Sequence, residues 1–93
     1  MNTVSCGMRG EVVWFAEHME GQLRENDHKG VDGWKTMSLK WLMHRLRQEI
    51  NELERAIAGE KNVIEEAADV ANFAMMIADN FSHSLERIQE DEP

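Results

Sequence analysis

The chain has no tyrosine, one cysteine, one proline and no long apolar run. Each scarcity excludes something. The lone Cys6 rules out an internal disulfide, so a reducing, cytoplasmic setting is expected. The one proline is Pro93, so no proline interrupts a helix before the last residue. No stretch reaches the roughly 18 apolar residues of a spanning helix. The first residues also lack the basic-then-apolar pattern of a secretion signal, and no membrane partner is expected. Basic residues are few: 10 Lys and Arg stand against 18 Asp and Glu, for a net charge of −8. A nucleic-acid surface needs a basic patch, so that partner is not expected either. A nucleotide ligand stays open, because a bound cation reverses the local sign of the field. The 93 residues read as one domain, and a chain this short often completes its burial with a partner.

What is present is helical periodicity. Residues 1–8 read as a flexible leader. A first helix is expected from about Gly10 to Asn26, with Val12, Phe15, Ala16, Met19 and Leu23 at i, i+3, i+4, i+7 spacing. Asn26 to Gly33 is rich in turn formers and reads as a loop, closed by Trp34 and Lys35. A second helix should start from a Thr36 or Ser38 cap and run to about Ala58, with Gly59 just past its end. Its apolar stripe is Leu39, Leu42, Met43, Leu46, Ile50, Leu53 and Ile57. Asn62 is the expected cap of a third helix, with Glu65 placed as in a capping box. Val63, Ala67, Val70, Ala74, Ile77 and Phe81 form the third stripe. Residues 86–93 are highly charged and read as a frayed tail. The fold class is all-α, with three main helices.

Two acidic pairs stand out. Glu49 and Glu52 lie three apart on the second helix, and Glu66 and Asp69 lie three apart on the third. Residues so spaced point the same way. With Leu46 at the centre of its stripe, Glu49 is roughly 60° off and Glu52 roughly 120° off, to one side. With Val70 at the centre, Glu66 is roughly 40° off and Asp69 roughly 100° off, again to one side. Both pairs therefore flank apolar seams, where packed helices can bring them face to face. Carboxylates so placed repel one another, and a hard divalent cation such as Mg²⁺ relieves that repulsion. Single acids such as Glu54, Glu60, Glu65 and Glu86 read as solvated.

The order Glu49-x-x-Glu52, then Glu66-x-x-Asp69, resembles the signature of the MazG-like all-α nucleoside triphosphate pyrophosphohydrolases. Lys29-Gly30 and Gly33-Trp34-Lys35 precede it, and the helices read LxxRLxxEINELERAI and EEAADVANFAMMIAD. The similarity covers about Lys29 to Asn80. It implies a four-helix-bundle core completed by oligomerisation, as a homodimer or homotetramer. It implies hydrolysis of an NTP or dNTP to the monophosphate and pyrophosphate. By position it makes Glu49, Glu52, Glu66 and Asp69 the ligands of Mg²⁺, with Mn²⁺ as a substitute. It also suggests a role in clearing nucleotide pools.

Substrate-binding candidates are Lys29, Lys35 and Arg45 for phosphates, Trp34 for stacking on a base, and Asn72 for a polar contact. Each has a plainer role. The cations serve as solvated charges, Trp34 plugs the bundle end, and Asn72 faces solvent. Trp14 and Trp41 read as interface residues, Met75 and Met76 as core or subunit interface. No His or Cys spacing supports zinc. Two other functions fit the pattern. One is a related phosphoribosyl-nucleotide pyrophosphohydrolase. The other is a non-catalytic helical oligomerisation or regulatory module, which has no need of the acidic quartet.

Overall fold

The computed structural model describes residues 7–91, the last six by their backbone alone. Most of the expected leader thus lies outside the described residues, as do the last two residues of the tail. Three helices carry the fold: α1 (Gly10–Glu25), α2 (Leu39–Gly59) and α3 (Val63–Asp91). Two short 3₁₀ turns, Asp27–Lys29 and Gly33–Thr36, lie between α1 and α2. The protein is all-α over the described residues. No helix there is long and apolar enough to cross a membrane.

Local chemistry explains the boundaries. Ser38, not Thr36, caps α2: its hydroxyl accepts the Trp41 amide at 3.0 Å. Thr36 instead bonds back to the Gly33 carbonyl within its own turn. The left-handed residue that ends α2 is Glu60, at φ 52°, one residue beyond the glycine expected there. Gly59 is simply the last helical residue. Asn62 is also left-handed, at φ 61°, and its backbone carbonyl accepts the Glu66 amide. Charge does not end α3 at residue 86; its backbone stays helical to Asp91. No proline or glycine interrupts that stretch.

The packing is organised on α3. Both α1 and α2 lie against it, and they hardly touch each other. The most buried line of α3 is Ala68, Asn72 and Met76, spaced by four. That line is not the expected Val70-centred stripe, whose members Val63, Ala67, Val70 and Ile77 are half-buried and whose Ala74 and Phe81 are exposed. A helix gripped from two sides has two inward faces, and a single stripe describes only one. On α2, Leu42 is fully buried and Glu49 is 7% exposed, while Leu39, Met43, Ile50 and Ile57 of the same expected stripe are exposed. Glu49 is therefore in the α2–α3 seam, not beside it. On α1, Phe15, Met19 and Leu23 are half-buried, whereas Val12 and Ala16 are exposed.

Candidate metal centre and ligand groove

Because α1 and α2 both meet α3 and hardly touch each other, they leave a groove with α3 as its floor. The groove holds about 640 Å³, within the roughly 300–1,000 Å³ of small-ligand sites. Rows at helical spacing line it. From α2 come Trp41, Arg45, Glu49 and Glu52, and from α3 come Glu66, Asp69, Phe73 and Met76. The loop before α2 adds Lys29 and Trp34, and Asn72 lies on the floor.

Three of the four sequence-predicted ligands converge. One carboxylate oxygen from each of Glu49, Glu66 and Asp69 lies within 4.8 Å of the others. Glu52 is exposed at the groove edge, near enough to repel Glu66 and Asp69 but outside that cluster. All three converging acids have pKa values raised above the ordinary carboxylate range. Burial is the main cause for each. Repulsion by Asp69, Glu52 and Glu49 adds to it for Glu66. Arg45 opposes it at Glu49, and a hydrogen bond from Gln22 opposes it at Asp69. A donor set of only carboxylate oxygens suits a hard cation such as Mg²⁺ or Mn²⁺. The set is also electrostatically unsatisfied by the protein itself, and in both respects these residues fit the ion.

Polar contacts hold the walls. Gln22 of α1 donates to Asp69 Oδ1 at 3.1 Å. Asn72 donates to the Met19 carbonyl of α1 at 3.0 Å. Asn72 is not solvent-facing: it is 3% exposed, and its Oδ1 is buried with no hydrogen-bond partner. A buried unpaired oxygen is costly, and a donor from a ligand or water would satisfy it. Arg45 bonds Glu49 Oε2 at 3.0 Å and lies 4.8 Å from the centre of the Phe73 ring. Asn80 donates to the carbonyls of Trp34 and Met37, tying the Gly33–Thr36 turn to α3.

Of the substrate-binding candidates, Lys29, Trp34, Arg45 and Asn72 line the groove. Lys35 does not. It pairs with Asp32 at 3.5 Å, lies over the Trp34 ring, and lines a neighbouring cavity with Asn80 and His83. Sequence reasoning missed Trp41, Phe73 and Gln22. Trp41 stands two helical turns before Glu49, and Phe73 one turn after Asp69, so extending each acidic row by fours finds both. Gln22 carries no such signal, because only the docking of α1 aligns it with Asp69. No protein-family model, curated protein or solved structure matches this chain.

Proposed function

We propose that this chain is a Mg²⁺-dependent nucleoside triphosphate pyrophosphohydrolase that converts an NTP or dNTP and water to the monophosphate and pyrophosphate. The observation that carries the reading is the convergence of Glu49, Glu66 and Asp69 from two helices within a groove of small-ligand size. Seven carboxylates and two cations line that groove. A polyphosphate enters such a field only with cations of its own or cations already bound. The resemblance of the two acidic pairs to the MazG-like enzymes points to the same chemistry.

Glu49, Glu66 and Asp69 are the residues that would hold the ion. An ion held there would supply Lewis-acid polarisation of a phosphate oxygen and would make a nearby water more acidic. Glu52 keeps a solvent-exposed carboxylate at the groove edge and is the base we assign to the water's proton. Among the described residues Arg45 and Lys29 are the groove's only cationic side chains, and they are the ones we assign to the phosphate chain. Trp34 is half-buried and offers a ring to the base, and Trp41 also lines the groove. The working form in this reading is a homo-oligomer, at least a dimer, in the cytoplasm with its nucleotide pool. In support, Leu39, Met43, Ile50 and Ile57 leave one side of α2 exposed and apolar.

The test is a panel of NTPs and dNTPs incubated with the protein and Mg²⁺. The expected outcome is pyrophosphate and a nucleoside monophosphate from at least one member. Release of inorganic phosphate from the γ position contradicts the reading.

A further inference from the structure

Arg45 is the only cation that pairs with the acidic cluster among the described residues. Its Nη2 is 3.0 Å from Glu49 Oε2, and Glu49 is nearly buried. Its guanidinium also stacks 4.8 Å from the ring centre of Phe73, on the facing helix. Gln48 accepts from the same guanidinium on the solvent side. Arg45 itself keeps 31% of its side chain exposed, so it is held at the mouth, not locked inside.

These contacts have unequal claims on the guanidinium. The Glu49 carboxylate cannot serve Arg45 and a divalent ion equally, because a doubly charged ion draws the carboxylate's charge toward itself. The Phe73 face makes no such choice. It holds a guanidinium by its ring quadrupole whether or not Glu49 is engaged. Arginine suits this post, since its planar fork stacks on a ring and still bonds phosphate with two N–H groups.

We propose that Arg45 is an exchangeable counter-ion that couples cation binding to phosphate binding in the groove. Without a divalent ion it neutralises Glu49. When the ion takes Glu49, the guanidinium is released on its Phe73 platform and turns its N–H groups to the phosphates of the ligand. The cation and the phosphate ligand then favour each other's binding, and such coupling is reciprocal. The proposal rests on the nucleotide reading above, and its first arm uses Mg²⁺ alone.

The test is calorimetry on the full chain and on Arg45→Met, which keeps the apolar stem against Phe73 but loses the charge. Mg²⁺ alone should bind the variant about 5- to 50-fold more tightly, because its competitor for Glu49 is gone. A non-hydrolysable α,β-imido deoxynucleoside triphosphate is then titrated in Mg²⁺ and in EDTA. Arg45→Met should lose at least about tenfold in analogue affinity with Mg²⁺ and less than about threefold in EDTA. Arg45→Lys keeps the charge and should change Mg²⁺ affinity less than Arg45→Met. Unchanged or weaker Mg²⁺ binding by Arg45→Met overturns the proposal, as does an equal loss of analogue affinity in both media. Failure of the wild-type chain to bind Mg²⁺ at all overturns the nucleotide reading as well. Circular dichroism of both variants checks that the helices are kept, and the sign of the change in Mg²⁺ affinity is read from Arg45→Met.

Discussion

Glu49 puts a carboxylate where a helix seam ordinarily places a leucine. Burial disfavours its charge, and the same holds for Glu66 and Asp69 beside it. The three pKa values are therefore higher folded than unfolded, and the folded chain binds the extra protons. Linkage then gives the sign. With respect to these groups, the metal-free protein is most stable below the unfolded carboxylate pKa of about 4. It loses stability as the pH rises through the raised folded values. Urea denaturation at a series of pH values should show that downward slope above pH 4, and saturating Mg²⁺ should flatten or reverse it. A slope unaffected by Mg²⁺ would separate the cluster from cation binding. Trp34 carries a second residue-scale expectation. Base stacking is worth about 1–3 kcal/mol, so Trp34→Ala should raise KM about 5- to 150-fold. It should lower kcat less, because the base is remote from the reacting phosphorus. An unchanged KM for every active nucleotide would make the ring a packing group.

At the scale of elements, α3 is the frame on which the other helices are hung. Leu42 is fully buried in the α2–α3 seam. Leu42→Ala should cost about 2–5 kcal/mol in urea denaturation. Asn80 acts more locally, through its two hydrogen bonds to the Trp34 and Met37 carbonyls. Asn80→Ala should speed amide exchange at Lys35 and Met37 while costing much less global stability than Leu42→Ala. Helix positions were legible in the sequence because periodicity and caps are local properties. The helix α1 ends within one residue of expectation, and Ser38 was one of two named caps. The buried face of α3 was not legible. A one-stripe reading assumes one partner, and α3 has two, so Ala68 and Asn72 are buried while Phe81 is not; Met76, read as core or interface, is buried. The acidic rows were legible because each pair depends only on spacing within one helix; of the four acids, Glu49, Glu66 and Asp69 converge and Glu52 stays outside. Gln22 was hidden, since its place beside Asp69 depends on how two helices dock.

Over the described residues the fold is extended for its size. Its radius of gyration is 15.5 Å, against about 12 Å for a compact chain of 93 residues. Among the described residues few large apolar side chains are fully buried, and Trp14, Ile50, Ile57 and Phe81 are each more than 40% exposed. Such surface favours self-association through a two-fold face. Light scattering should give at least twice the 10.8 kDa chain mass, and Ile50→Glu with Ile57→Glu should lower it. A folded monomer at micromolar concentration would contradict that. The acidic balance of the chain has its sharpest expression in the groove, where carboxylates outnumber cations. The most direct measurement is a calorimetric titration of Mg²⁺, and of Mn²⁺, into the wild-type chain and Asp69→Asn. Asparagine keeps the oxygen that accepts from Gln22 but removes the charge. The account predicts saturable binding by the wild type and at least tenfold weaker binding by the variant, with helicity retained. Equal affinity in the two proteins would contradict a cation centre at Glu49, Glu66 and Asp69.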